Sequence, residues 1–520
     1  MVANLRRSCM CGIVCVWGRQ DELSIRRMMN RIAHRGPDDE GFHKHSMGVL
    51  GHKRLSIIDP VEGHQPIYNE DGSSALVANG MIYNFSHLKE KLAKSHQFRS
   101  DSDSEIILHL FEESGPEAVN QLEGMFAFAI NNKDEIFIAR DPIGIKPLYY
   151  SISGEKTASE TLYIGSELKA FLDIPVKEVH EFPVGSYYDG KEFTSYYTIP
   201  DTTSSDLSVT QHVQELRETL EAVVVSHLIS DAPVGAFLSG GLDSSIIAAL
   251  AKRHVNELHT FSVGKEGSQD IEAARIVANY IGSIHHEHLY TAEDIKKLPE
   301  IIYHVESFDR GIMHGAIPSF LCAELASNYV KVILTGDGAD ELFAGYRFHK
   351  DYQDMSLLNQ KLRDSVATLH NTNLLRLDRT AMAHGIEGRV PFLDRAIVAM
   401  AQRIPIEWKL YRDRSDRLIE KWILRKAFED ILPREIVWRD KEQFDEGSGT
   451  VEMATFWLKE IAPNFDAQDY IKLHTRDKLR SIEEAFYHKT CAEVFKNSRI
   501  ILDNVGRWAF GNKSVFTTYT

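Results

Sequence analysis

The sequence predicts an α/β protein of two domains: an α+β domain of packed antiparallel sheets, then a doubly wound parallel-sheet domain with a helical extension. Three observations lead there. Short β-rich runs punctuated by Gly, Asn and Asp turns fill residues 11–199, the texture breaks near Pro200, and beyond it short apolar runs alternate with helical periodicity. The length agrees, because 520 residues exceed one ordinary core at roughly 150 residues per domain.

Residues 1–10, MVANLRRSCM, read as an extension or propeptide, since they lack the apolar stretch of a secretory signal. The runs CGIVCVWG, SALVAN, MFAFAI, EIFIARD and LYIGSE then read as strands. A linker is expected at 200–210, where PDTTSSDLSV has five Ser or Thr in ten residues and no periodicity. From 211 to 520 the second domain follows. Val213, Leu216, Leu220, Val223, Val224 and Leu228 recur at helical spacing, and VGAFL, HTFSV and KVILT, separated by helical stretches, spell repeated βαβ units. After about Arg347 the pattern is largely helical.

Composition narrows the function. With 43% apolar and 26% charged residues the chain can bury its cores, so a soluble globular protein is expected. A net charge of −16 repels phosphate backbones and anionic lipid, which argues against nucleic acid and membrane partners. No stretch approaches the ~20 apolar residues that span a bilayer, and a cytoplasmic location is expected. The five cysteines, Cys9, Cys11, Cys15, Cys322 and Cys491, are odd in number and sparse, which suggests free thiols rather than a disulfide framework.

The most specific local feature is Ser239-Gly240-Gly241-Leu242-Asp243-Ser244-Ser245, between the strand-like VGAFL and the helical IIAALAKR. Such a turn gathers backbone N–H groups and the positive end of a helix dipole around one anion. It lacks the lysine of a Walker loop, so it suits the pyrophosphate that leaves when a nucleotide is cleaved between its α- and β-phosphorus. A second glycine-acid segment, Thr335-Gly336-Asp337-Gly338-Ala339-Asp340, follows KVIL at the carboxyl end of a parallel strand, where open α/β sheets bind ligands. Asp243 and Asp340 are the expected Mg2+ ligands, since magnesium prefers carboxylate and phosphate oxygens. The run His285-His286-Glu287-His288 is not read as zinc-binding, because adjacent strand residues face opposite ways.

SGGLDSS resembles the signature of the ATP-pyrophosphatase superfamily. Met10-Cys11-Gly12-Ile13 resembles the start of class II glutamine amidotransferases, and HRGPDDEG (34–41), HKRLSIID (52–59), NGMIYNF (79–85), SDSEII (102–107), EGMFAFAI (123–130), RDPIGIKPLYY (140–150) and GSELKA (165–170) follow in that family's order. Both halves in one chain resemble the glutamine-hydrolysing asparagine synthetases from Cys11 to about Gly447. HGIEGRVPFLD (384–394) and RDKEQFDEG (439–447) extend the match.

The resemblance implies an αββα N-terminal-nucleophile sandwich followed by an ATP-pyrophosphatase-type synthetase domain. It implies glutamine, aspartate and ATP as substrates, Mg2+ as cofactor, a β-aspartyl-AMP intermediate, ammonia passed through an internal tunnel, and a homodimer. It assigns Cys11 as nucleophile with its own α-amine as base, and Asn79 and Gly80 as oxyanion donors. Arg54, Asn79, Gly80, Met81 and Asp103 are implied glutamine contacts. Leu238, Val263, Thr335, Gly336 and Lys441 join the loop residues Ser239, Gly240, Gly241, Asp243 and Ser244 around ATP, and Asp337 serves the acyl adenylate.

This chain departs from the family at four points. Nine residues precede Met10, whereas the nucleophile needs a free α-amine; Met81 replaces a common glutamate; Asp337 stands where many members carry glutamate; and His314 stands where some carry arginine. Other readings share parts of the pattern: a ligase acting on another carboxylate, a silent regulatory binder, and an ammonia-dependent synthetase. The intact set Cys11, Arg54, Asn79, Asp103, Asp243 and Asp337 argues against the first two, and the sequence leaves the third open.

Overall fold

The computed structural model describes residues 11–36, 38–54, 57–59, 61–154, 160–439, 447–451, 462 and 465–508. Lys441, expected at the nucleotide, and the propeptide-like residues 1–10 lie outside them.

Twelve strands are placed between Gly12 and Ser195: β1 Gly12–Trp17, β2 Asp39–His45, β3 Gly48–Arg54, β4 Ile67–Tyr68, β5 Ser74–Ile82, β6 Gly124–Asn132, β7 Glu135–Arg140, β8 Tyr149–Ser153, β9 Thr161–Gly165, β10 His180–Glu181, β11 Ser186–Tyr188 and β12 Phe193–Ser195. They form two six-stranded antiparallel sheets, ordered β10-β8-β9-β1-β3-β2 and β12-β11-β7-β6-β5-β4. Alternation along each strand builds the layers. Ile13 and Cys15 of β1 meet Val77 of β5 and Ala127 and Ala129 of β6 between the sheets. Val14 and Val16, on the other face of β1, pack under Ile25, Met28 and Met29 of the helix Glu22–Arg31. On the far face of the second sheet, Leu76 and Phe128 pack against Leu88 and Ile107 of the helices Phe85–Leu92 and Glu105–Ser114. The result is the expected αββα sandwich, and Cys15 belongs to its core, fully buried.

The helix Val209–His227 opens the rest of the chain, with Ser208 and Gln211 forming a reciprocal capping box. Its Leu216, Leu220, Val223 and Val224 are buried. Five parallel strands follow: β13 Val234–Phe237, β14 His259–Gly264, β15 Ile284–Leu289, β16 Val332–Leu334 and β17 Glu387–Arg389, in the order β15-β14-β13-β16-β17. The order reverses between β13 and β16, a topological switch point of the kind where such sheets bind ligands. Full burial of Ile246, Ile247, Val277 and Leu334, worth about 1.5–3 kcal/mol per large apolar side chain, holds the helices to the sheet.

β17 is the main correction to the sequence reading, which took everything beyond Arg347 as largely helical. Glu-Gly-Arg carries no strand signature, yet it completes the sheet because Arg389 is neutralised by Glu387 at 2.7 Å and donates to the carbonyls of His227 and Ile229. On β15, His285 bonds the hydroxyls of Thr260 and Ser262 while His286 stacks on His259, so the two rings point to opposite faces as expected. No helix among the described residues is long and apolar enough to cross a membrane.

Candidate active sites

The first site forms where β1, β3 and β5 come together. Cys11, Arg54, Asn79, Gly80, Met81 and Asp103, far apart in sequence, line one pocket. Asn79 is 2% exposed, and its amide Nδ2 is buried without a hydrogen-bond partner. A buried donor left unmade costs about 1–3 kcal/mol, so one aimed into a pocket marks where an acceptor belongs. Gly80 has φ +152°, and a Cβ there would lie 2.0 Å from the Met125 carbonyl oxygen, so only glycine fits. Arg54 is nearly buried and donates to the carbonyl of Asp59 at 2.6 Å, close by Gly63. Met81 is buried with Tyr83 and Met125. Asp103 accepts from the Ile82 N–H at 2.8 Å, and burial pushes its carboxyl up to about 7.

Two further residues of this pocket come from β17: Glu387 and Arg389. The Thr335 N–H donates to the Arg389 carbonyl at 3.0 Å, so one strand borders the Cys11 pocket and hydrogen-bonds to the second glycine-acid loop. Cys11 itself packs beside Ile57, Val332 and Met382, which joins it to the base of the parallel sheet through apolar contacts. Its carbonyl accepts from Arg35, whose guanidinium is fully buried and pairs with Glu167 at 2.6 Å and Asp378 at 2.7 Å. Arg379, Lys169 and Glu306 complete this buried network, with Arg379 2.7 Å from Glu167 and 3.1 Å from Glu306.

The second site is a cleft of about 320 Å³ at the carboxyl ends of β13, β14 and β16, in the size range of small-molecule pockets. Leu238, Ser239, Gly241, Asp243, Ser244, Val263, Thr335, Gly336, Asp337 and Asp340 all line it. Gly240 stands behind them at φ +70°, where a Cβ would lie 2.4 Å from Ala273. Gly241 caps the helix Leu242–His254, and the Ser239 and Ser244 hydroxyls bond each other at 3.1 Å and close the turn. The helix N-terminus therefore opens on the cleft with its dipole positive.

Lys421 is the residue that sequence reasoning missed. Its ammonium lies 2.5 Å from Asp243 and 2.6 Å from Asp340, with the side chain 2% exposed. Two carboxylates from two strand-end loops thus converge on one cationic point, and the ammonium marks where a cation is stable. The oxygen donors suit Mg2+, whose hard coordination sphere these residues could supply in part. No motif betrays Lys421, since it pairs across 178 positions. Asp337 is held by Arg376 at 2.7 Å. Burial and the Asp340 charge push the neighbouring Glu341 carboxyl up. His314 pairs with Glu483 at 2.5 Å on the C-terminal helix Ile482–Val494.

Comparison with known families decides the assignment. Residues 10–226 match the glutamine amidotransferase domain family, and residues 215–364 and 352–498 match the asparagine synthase family. "Asparagine synthetase [glutamine-hydrolyzing] 2" of Arabidopsis thaliana is 38% identical, over 94% of this chain and 87% of the relative. "Asparagine synthetase [glutamine-hydrolyzing] 3" of the same plant is 40% identical over 94% and 87%, and the Zea mays enzyme 41% over 85% and 78%. The chain belongs to the glutamine-hydrolysing asparagine synthetases. In that setting the Cys11 pocket is lined mostly by the amidotransferase-matched part, with Glu387 and Arg389 added from the synthase-matched part, and the cleft at Asp243 lies in the synthase-matched part.

Proposed function

We propose that this chain makes asparagine from aspartate, ATP and glutamine, with residues 11–199 as the glutaminase, 200–210 as linker and 211–520 as the synthetase. The observation that carries the reading is the unsatisfied Asn79 amide in the pocket shared by Cys11 and Asp103. The Cys11 thiol gives its proton to its own α-amine and attacks the glutamine carboxamide. Asn79 Nδ2 and the Gly80 N–H then receive the developing oxyanion, worth roughly 3–4 kcal/mol per donor in such sites. Arg54 holds the substrate carboxylate and Asp103 its ammonium. Ammonia leaves, and water releases glutamate. This chemistry needs a free amine on Cys11, so residues 1–10 are absent from the active glutaminase.

In the cleft, a β-carboxylate oxygen of aspartate attacks the α-phosphorus of ATP, and pyrophosphate leaves into the Ser239–Ser244 turn. Leu238, Val263, Thr335 and Gly336 seat the nucleotide, with Lys441 as a further phosphate contact. Asp243 and Asp340 would hold Mg2+, which supplies charge neutralisation to the phosphates when bound. Ammonia, uncharged, passes the apolar contacts of Ile57, Val332 and Met382 and attacks the acyl carbon. AMP departs, and the extra proton goes to Asp337, an acidic residue of the cleft lining. The cytoplasm and a homodimer remain parts of this proposal.

Two substitutions test it. Cys11→Ala should abolish glutamine use while ammonia-dependent asparagine formation continues. Asp243→Ala should stop aspartate-dependent pyrophosphate release while glutamine hydrolysis continues. Equal loss of both activities in both variants would overturn the division of labour.

A further inference from the structure

We propose that Glu70, His96, His109 and Glu112 form a binding site for a divalent transition metal, with zinc the best match, at the outer helical layer of the sandwich. The four side chains each offer one ligand atom, and these atoms lie within 4.8 Å of one another. His109 Nδ1 is 3.0 Å from Glu112 Oε2, and His96 Nδ1 is 3.1 Å from Glu70 Oε1. The cross distances, His96 Nδ1 to Glu112 Oε2 and His109 Nδ1 to Glu70 Oε2, are both 3.8 Å. A tetrahedral zinc with nitrogen and oxygen ligands at roughly 2.0–2.1 Å requires donor separations of about 3.4 Å. The four nitrogen–oxygen separations straddle that value, with Glu70 facing His96 through Oε1 and His109 through Oε2.

The fold explains the convergence. His109 and Glu112 stand three apart on the helix Glu105–Ser114 and so share a face. His96 comes from the segment after the helix Phe85–Leu92, and Glu70 from the turn between β4 and β5. Glu112 is also oriented from behind. Asn69 Nδ2 donates to its Oε1 at 2.7 Å, which leaves Oε2 for the cluster, whereas Glu70 Oε1 both accepts from the Gln97 N–H at 3.0 Å and faces His96.

The outward ring nitrogens face carboxylates, the direction expected of metal-bound imidazoles, at separations at which no hydrogen bond is made. His109 Nε2 lies 3.5 Å from Glu105 Oε1, and His96 Nε2 lies 3.7 Å from Glu113 Oε1. The His109 side chain is 1% exposed, and its Nε2 is buried without a hydrogen-bond partner. The metal-free arrangement has each Nδ1 hydrogen-bonded to its glutamate, with the rings stacked 4.5 Å apart and the two carboxylate charges brought together. One dication balances Glu70 and Glu112 while both rings stay neutral, provided the His96 ring turns out of the stack to aim its lone pair. Two imidazole donors select zinc, cobalt or nickel over magnesium and calcium.

The site is separate from both reaction centres, although its helix begins two residues after Asp103. Its test uses the full chain stripped with a chelator and titrated with Co2+, then with Zn2+ in competition. The account expects one equivalent bound, the visible absorption of four-coordinate cobalt, and a higher thermal midpoint with metal. His96→Ala and Glu70→Gln should each weaken binding by roughly 10-fold or more, and Glu70→Gln, at an exposed position, should leave the apo thermal midpoint in place. No saturable cobalt spectrum, or unchanged affinity in both variants, would overturn the site.

Discussion

Replacing Asp103 by asparagine separates what this carboxylate costs the fold from what it gives the substrate. Burial raises its pKa from 3.8 to about 7. At roughly 1.4 kcal/mol per unit, the ionised form stands about 4 kcal/mol above an exposed carboxylate. The folded chain holds a proton between those two values that the unfolded chain has lost. Stability from this group therefore falls as pH rises from 3.8 to about 7, and stays lower above. Asparagine has the same shape, keeps an acceptor for the Ile82 N–H, and carries no charge. Asp103→Asn should thus unfold at higher temperature than wild type at pH 8 in scanning calorimetry, with a gain of at most about 4 kcal/mol that vanishes near pH 4. The glutamine ammonium loses its counter-charge, and a buried charge stripped of its partner costs about 2–5 kcal/mol, so kcat/KM for glutamine should fall roughly 30-fold or more. Wild-type glutamine use should decline as pH drops below about 7, where Asp103 takes up its proton. A variant no more stable than wild type at pH 8, with glutaminase activity intact, would refute the reasoning on both counts.

Other perturbations address other groups. Asn79→Ala removes one of the two proposed oxyanion donors and should cost roughly 10²–10³ in glutaminase kcat, with little change in KM and none in ammonia-dependent synthesis; progress curves with each nitrogen donor check it. Lys421→Met leaves Asp243 and Asp340 facing each other, so the thermal midpoint should fall, and added Mg2+ should restore it more than in wild type, as read by calorimetry with and without the ion. Asp378→Ala removes one of the two carboxylates that neutralise the buried Arg35 guanidinium and leaves Glu167 to serve it, with an expected loss of about 1–3 kcal/mol in urea unfolding and a disturbed Cys11, whose carbonyl Arg35 holds.

Much of this architecture is written locally. The apolar runs in CGIVCVWG and MFAFAI become β1 and β6, and SGGLDSS becomes the turn and helix start that open on the cleft. These features are legible because neighbours in sequence make them. What sequence does not show is made by distant partners. β17 has three residues, two of them charged, and is a strand only because Glu387, His227 and Ile229 satisfy Arg389. Lys421 sits between two carboxylates that no spacing rule connects to it. The cluster at His109 draws on three separate segments, and only its three-residue step on the helix has a local pattern.

The central claim is that nitrogen released at Cys11 becomes the amide of asparagine at the Asp243 cleft. The most direct measurement supplies glutamine labelled with 15N in its amide, together with aspartate, Mg-ATP and unlabelled ammonium, and reads the products by mass spectrometry. The account predicts 15N-asparagine formed in step with AMP and pyrophosphate, its label little diluted by the ammonium. Asparagine carrying the label of bulk ammonium, or ADP and phosphate in place of AMP and pyrophosphate, would contradict it.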